Sequence, residues 1–176
     1  GVCMDEGIDV DVLRAGFSKF VSTKKRQELV GVVDDVHVYD DFAHHPTAVK
    51  ATIEAVRAHF PGRRLWAIFE AKSNTSRRRV FQDAYPEGLG LADRVILSRP
   101  WKKDEGLPAD QLLDIDELVE AIRARGPQTE LIADVDDIVE LVASEAKPGD
   151  VVVGLSGSAF SGFHGKLVDA LKANAS

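Results

Sequence analysis

The sequence is short of cysteine and of basic residues. Cys3 is the single cysteine among 176 residues, so the chain has no internal disulfide and no thiolate metal cluster. The 22 lysines and arginines are outnumbered by 29 acids, and an acidic chain without a basic stripe is a poor candidate for nucleic-acid binding. No apolar run approaches the roughly 18 residues that a membrane span needs. We therefore predict a cytoplasmic domain with neither nucleic acid nor membrane as partner.

The motifs of an independent catalyst are also missing. The sequence has no GxxxxGK[ST] phosphate loop and no histidine pair at metal-ligand spacing beside an acid. The adjacent His44 and His45 cannot easily turn both rings to one ion. We predict no catalytic residue and no metal site within this chain.

The first twenty residues predict a helix of about a dozen residues, with Asp9 or Asp11 as its N-cap. Its apolar positions are Val10, Val12, Leu13, Phe17 and Phe20. Such a helix has little to pack against if it opens a protein, so we expect a fragment of a longer chain. The alternative is an N-terminal helix that docks on the domain.

After the basic run at 24–26, apolar strands alternate with helical patterns. The predicted strands are 28–33, 36–40, 65–69, 94–98, 129–133 and 151–155, with a hairpin turn at Asp34-Asp35. The predicted helices are 45–60, one from about residue 75, 115–125, 135–146 and 162–173. Pro46 suits the first turn of the first of these helices.

This alternation predicts an α/β fold: a doubly wound, Rossmann-like, mostly parallel sheet with helices on both faces and an N-terminal β-hairpin. Ligands of such sheets lie beyond the carboxyl ends of the strands. The loops expected there are 40–46, 70–76, 98–106, 134–137 and 156–162.

Three of these loops carry polar side chains. In the first, a carboxylate and two histidines suit a polyhydroxyl or phosphorylated ligand, unless Asp40 or Asp41 merely caps the helix and the histidines are exposed. In the second, three arginines at 77–79 would oppose the dipole of a helix capped within 73–75, so at least one is expected to meet an anion; alternatively they face solvent or pair with acids. The third, rich in small residues, lets backbone N–H groups approach an anion.

These loops resemble a known family. Asp-Phe-Ala-His-His-Pro-Thr at 41–47 is similar to the Asp-[Tyr/Phe]-[Ala/Gly]-His-x-Pro motif that opens the C-terminal domain of the Mur ligases. Lys-Arg-Gln-Glu at 25–28 resembles the joint before that domain. The segments 66–70, 73–75, 78–81 and 158–164 also resemble family motifs. The resemblance implies that residues 1–23 are the tail helix of the preceding, ATP-binding middle domain and that 24–176 are the Mur ligase C-terminal domain.

The resemblance also implies the site residues. Arg26, Asp41 and His44 would contact the nucleotide, with Asp41 at the ribose. The residues that would bind a peptide are His45, Lys72, Ser73, Asn74, Thr75, Arg77, Arg78, Ser156, Ser158, Phe160 and His164. The sequence departs from the family at Lys72, where an arginine is expected. Because lysine does not grip a carboxylate in the bidentate way of arginine, Arg77 or Arg78 is a candidate for that contact.

The implied activity is ATP-dependent amide-bond formation through an acyl phosphate, with ATP and Mg²⁺ held mainly by the middle domain. The motifs are most similar to the member that joins the recycled tripeptide L-alanyl-γ-D-glutamyl-meso-diaminopimelate to UDP-N-acetylmuramate. The chain would then bind peptide, cover the nucleotide, work with the N-terminal and middle domains, and be inactive alone. One alternative is the member that adds L-alanine to UDP-N-acetylmuramate. Another is a non-catalytic nucleotide-binding module.

Overall fold

A six-stranded sheet organises the chain, and its strands, numbered in sequence order, lie side by side as 1-2-6-3-4-5. The computed structural model describes residues 2–19, 23–98 and 108–175. The strands are β1 (Glu28–Val33), β2 (Val36–Asp41), β3 (Leu65–Glu70), β4 (Arg94–Ser98), β5 (Gln128–Ile132) and β6 (Val151–Ser156). The helices are α1 (Val2–Asp5), α2 (Val10–Ser18), α3 (Pro46–His59), α4 (Tyr85–Leu89), α5 (Ile115–Arg123), α6 (Val135–Glu145) and α7 (Phe163–Asn174).

The predicted hairpin is confirmed. Asp34 and Asp35 join β1 to β2 with φ angles of 46° and 61°. Two successive left-handed residues are what a type I′ turn requires. β1 and β2 pair antiparallel, and the other strand pairs of the described sheet are parallel. The predicted fold class, a mostly parallel α/β sheet with an N-terminal hairpin, is therefore confirmed.

Both faces of the sheet are covered by helices. Along β3, Ala67 and Phe69 pack into a core with α3, α4 and α5, whereas Trp66 and Ile68 pack on the opposite face with α6 and α7. All six residues of β3 are buried. The alternation of side chains along an extended strand explains why an uninterrupted apolar run was needed: each face has its own core.

The helix predicted from about residue 75 is wrong. Residues 74–77 form turns, followed by a short 3₁₀ segment, Arg79–Phe81, and only then by α4. The Ser73 hydroxyl accepts the Ser76 N–H at 2.9 Å, a local bond that competes with helix formation. Pro86 lies in the first turn of α4, where proline is tolerated. The argument that three arginines oppose a helix dipole therefore does not apply.

The N-terminal helices bury none of their residues. Asp9 caps α2 by accepting the Asp11 N–H at 2.7 Å, and Phe17 is 78% exposed. The predicted helical position Phe20 and most of the 98–106 loop lie outside the described residues. Within the described ranges, no helix combines the length and the apolar character that crossing a membrane requires.

Candidate functional site

Three predicted loops meet at the carboxyl edge of the sheet, where β6 lies between β2 and β3. Asp41 at the end of β2 is level with Leu155 in β6, and Ser156 is level with Glu70 at the end of β3. The helices that follow these strands leave to opposite faces, α3 to one and α7 to the other. A crevice outside the strands at such a reversal is where ligands bind in doubly wound folds.

Asp41 connects the first loop to the segment before β1. One carboxylate oxygen accepts the Ala43 N–H at 2.7 Å and the other accepts the Gln27 N–H at 2.9 Å. The residue is 4% exposed. Its carboxylate therefore holds the 24–28 joint against the end of β2, and its predicted contact with a ribose stays a prediction.

His44 lies between the first and third loops. Its Nδ1 lies 2.9 Å from the carbonyl of Phe42, and a carbonyl can only accept, so Nδ1 carries the proton and Nε2 is left for a ligand. The ring packs on the Cα of Gly157, where a Cβ would approach it to 3.1 Å. The Tyr85 hydroxyl donates to the His44 carbonyl at 2.6 Å, and burial raises the pKa of Tyr85, which keeps that donor protonated.

His45 begins α3 as its N-cap. Its Nδ1 accepts the Thr47 N–H at 3.4 Å, and its ring stands edge-on to Phe81. The aspartates therefore do not cap this helix, as one alternative had it. His45 remains exposed, so its other ring nitrogen is open to a ligand.

Glu70 is a buried carboxylate at the centre of the edge. Its Oε2 accepts the hydroxyls of Ser156 at 2.6 Å and Ser158 at 2.7 Å, while Oε1 lies 3.7 Å from Nζ of Lys72. The Ser156 hydroxyl also accepts the Ser158 N–H at 3.0 Å. A buried carboxylate is stable only with such donors, so these bonds fix the shape of the third loop.

The joint, residues 24–28, also contacts the loops at this edge of the sheet. Lys25 donates from Nζ to the Ser158 carbonyl at 2.6 Å, and the Phe42 N–H donates to the Lys25 carbonyl at 2.8 Å. Lys25 is thus in contact with both the first and the third loops. Arg26 is exposed beside it, on the joint.

The second loop carries most of the predicted peptide-binding residues on the surface. Lys72, Asn74, Thr75 and Arg78 are exposed, and Ser73 is half-buried. Arg77 is half-buried as well and donates to Oδ1 of Asn74 at 2.8 Å. Cationic groups, an amide and hydroxyls therefore border the carboxyl edge, a combination that suits a ligand with carboxylates.

Two of the predicted peptide-binding side chains lie elsewhere. Phe160 is fully buried, and its ring packs 5.1 Å from that of Phe163 in the core. His164 is 7% exposed and lies over Gly154, with Nε2 at 3.6 Å from Oδ1 of Asp40. Burial lowers the pKa of His164 and raises that of Asp40. The small residues of the third loop gave no sign in the sequence that the rings of Phe160 and His164 are buried.

The structure brings together eleven of the predicted residues through three neighbouring loops, with Arg26 on the adjacent joint, and it adds two that sequence reasoning missed. Glu70 had a signal, since a carboxylate that ends an apolar strand is either paired or functional. Lys25 had none, because a basic run before a domain is ordinarily solvated. The predicted residues on these three loops are Asp41, His44, His45, Lys72, Ser73, Asn74, Thr75, Arg77, Arg78, Ser156 and Ser158.

Comparison with known proteins decides the family. The description "Mur ligase, glutamate ligase domain" fits residues 25–158. The chain belongs to the Mur ligase family. This assignment agrees with the resemblance carried by the Asp-Phe-Ala-His-His-Pro motif and with a Rossmann-like sheet.

Three relatives show how the Mur ligase similarity is distributed. The UDP-N-acetylmuramate–L-alanyl-γ-D-glutamyl-meso-2,6-diaminoheptandioate ligase of Escherichia coli K12 is 36% identical over 157 residues, which are 86% of this chain and 31% of that enzyme. A UDP-N-acetylmuramate–L-alanine ligase of Cutibacterium acnes is 38% identical over 154 residues, or 85% of this chain and 31% of that enzyme. The crystal structure of a murein peptide ligase of Psychrobacter arcticus superposes with a TM-score of 0.69 at 34% identity and covers 95% of this chain and 34% of that one.

The chain spans about a third of the length of the curated Mur ligases it matches. The matched part includes the carboxyl-edge loops up to Ser158. The match covers about a third of each enzyme, so it does not by itself assign the activity of the complete enzymes to this chain.

Proposed function

We propose that the chain is the C-terminal, peptide-binding and nucleotide-capping domain of an ATP-dependent ligase that joins L-alanyl-γ-D-glutamyl-meso-diaminopimelate to UDP-N-acetylmuramate. The observation that carries the proposal is the meeting of the three loops at one sheet edge, in a chain 36% identical to an enzyme named for that reaction. Residues 24–176 form the domain, and residues 1–23 are the tail of the middle domain. The assembled enzyme is cytoplasmic and serves peptidoglycan recycling.

We divide the ligation reaction between the middle domain and this C-terminal domain. ATP transfers its γ-phosphoryl group to the muramyl carboxylate, which gives an acyl phosphate and ADP. The peptide amine then attacks the acyl phosphate, which forms the amide and releases phosphate and a proton. Among the described residues, no three His, Cys, Asp or Glu side chains are grouped so as to hold a metal ion. As the family resemblance implies, we assign Mg²⁺ and the ATP phosphates to the middle domain and expect the chain alone to be inactive.

The peptide brings carboxylates that need cations. Lys72 and Arg78 are exposed at the second loop and suit this role, Lys72 from its position 3.7 Å from Glu70, while Asn74 already accepts from Arg77. His44 offers Nε2 from the first loop, and Arg26 extends from the joint, so both suit the nucleotide side. Closure of this domain over the middle domain would exclude water from the labile acyl phosphate.

The enzyme that joins this chain to its N-terminal and middle domains tests the proposal. With ATP, Mg²⁺ and UDP-N-acetylmuramate supplied, phosphate release is compared with tripeptide and with free L-alanine as acceptor. We expect release with the tripeptide and none above background with L-alanine. Release with L-alanine alone assigns the chain to the UDP-N-acetylmuramate–L-alanine ligases, the second candidate, which the 38% identity to the Cutibacterium acnes enzyme supports. Release with neither contradicts both.

A further inference from the structure

A continuous path of polar contacts runs from the joint to the second loop. Nζ of Lys25 donates to the Ser158 carbonyl, the Ser158 hydroxyl donates to Glu70, and Glu70 is followed two residues later by Lys72, whose ammonium lies 3.7 Å from its other oxygen. Ser156 donates to the same carboxylate. We call Lys25, Ser156, Ser158 and Glu70 the carboxyl-edge network.

The network has one rigid end. Glu70 lies in β3, where its backbone pairs with both neighbouring strands, at Ser98 and at Ser156. Its side chain is only 9% exposed, so the two hydroxyls that donate to it compensate for its burial. Ser158, by contrast, lies in the loop after β6, and its position depends on the bonds it makes. Movement is therefore easier at Ser158 and Lys25 than at Glu70.

The other end is a strained segment. Lys25 and Gln27 have φ angles of 57° and 47°, in the left-handed region that side chains other than glycine rarely adopt. This conformation is unfavourable for residues other than glycine, so it persists only where contacts hold it. The contacts are the Lys25 N–H to Glu28, the Gln27 N–H to Asp41, and the Lys25 ammonium to Ser158.

We propose that the carboxyl-edge network couples the conformation of the 24–28 joint to the 72–76 loop, which makes Lys25 and Glu70 positioning residues for peptide ligation. The role in ligation rests on the proposed function; the coupling itself does not. When the Lys25 ammonium donates to the Ser158 carbonyl, the Ser158 hydroxyl is positioned to donate to Glu70. Glu70 in turn positions the Lys72 ammonium at the end of β3. When the joint bends, the Ser158 contact is lost and the second loop loses that support.

The coupling is tested first on the 176-residue chain itself by amide NMR. Lys25→Met is expected to shift the amide resonances of residues 72–76, which Lys25 does not contact, as well as that of Ser158. Glu70→Gln, which keeps the shape and removes the charge, is expected to shift the resonances of residues 24–28. Lys24→Met, an exposed neighbour, is the matched control and should leave 72–76 unmoved. Shifts in Lys25→Met that stop at Ser158 would overturn the coupling.

Kinetics of the complete ligase then tests the positioning role. Lys25→Met and Glu70→Gln are each expected to raise KM for the tripeptide by about 5-fold or more and to leave KM for ATP within about 2-fold. The double variant should be less impaired than the product of the two single effects, because both remove one network. Independent, multiplicative effects would overturn the positioning role. An unaltered enzyme without tripeptide activity would overturn the proposed function instead, and the NMR result would still decide the coupling.

Discussion

Gly154 in β6 faces the imidazole of His164 so closely that an added Cβ would overlap Nε2 of that ring. The glycine lets the first turn of α7 approach the sheet, and the histidine fills the space beside Asp40. This approach explains why His164 lies in the core and not in the ligand crevice. A helix can pack this closely on a strand only where the strand residue is glycine, which has no side chain.

Gly154→Ala is expected to lower the free energy of unfolding by about 1–3 kcal/mol, because the added methyl forces the imidazole or the strand to move. Urea unfolding of the 176-residue chain measures it. The double variant Gly154→Ala, His164→Ala should recover part of the loss, since the truncated side chain leaves room. Gly165→Ala in α7 meets no atom within 4 Å and is expected to stabilise slightly, by about 0.5–1 kcal/mol. Equal effects at both glycines would contradict this account of the packing.

Asp41→Asn is expected to destabilise the chain by about 1–3 kcal/mol. The amide has one oxygen where the carboxylate had two, so either the Gln27 or the Ala43 N–H loses its acceptor. Urea unfolding again measures the change, and hydrogen exchange at Gln27 and Ala43 shows which bond is lost. Asp83→Asn, at an exposed position, serves as the control. An Asp41→Asn chain as stable as that control would show that these bonds contribute nothing.

The acid stability of the chain should depend on Asp150. Burial by itself raises the pKa of this carboxyl, but hydrogen bonds from Arg64, from the Lys147 N–H and from the Trp66 indole outweigh it and hold the pKa below its ordinary value. A lowered folded-state pKa stabilises the chain above the unfolded value of 3.8, and this contribution is lost as pH falls through the folded value.

We therefore expect thermal stability to fall from about pH 5 downward, and to fall less steeply in Asp150→Asn, which begins less stable at neutral pH. Thermal unfolding followed by circular dichroism across this range measures both slopes. Asp83→Asn should keep the slope of the unaltered chain. Parallel curves for Asp150→Asn and the unaltered chain would exclude Asp150 as a cause.

In the complete ligase, Arg78→Gln is expected to raise KM for the tripeptide about 10-fold, the equivalent of one charge-assisted hydrogen bond to a carboxylate. Arg79→Gln is the matched control, because Arg79 is already paired with Glu117 at 3.1 Å. Initial rates at varied tripeptide measure both variants. Equal KM values in the two variants would remove Arg78 from the peptide site.

The sequence pattern predicted correctly those elements whose conformation depends on neighbouring residues alone. The apolar run at 65–69 predicted a strand buried on both faces, and Asp34-Asp35 predicted the turn. Ser73 shows the limit, since its hydroxyl is as able to close a turn as to cap a helix, and the wrong choice placed a helix at 75. Glu70 shows another, because its partners Ser156 and Ser158 are 86 and 88 residues away and meet it only through the pairing of β3 with β6.

The central position of β6 also has a consequence for how the chain acquires its structure. Until Val151–Ser156 is synthesised, β2 and β3 share no neighbour among the described strands, which then form two separate strips, β1–β2 and β3–β4–β5. Both strips expose the edges that β6 will cover. Assembly of the complete sheet therefore waits for β6 to leave the ribosome, and its pairing with β2 and β3 is non-local and expected to be slow.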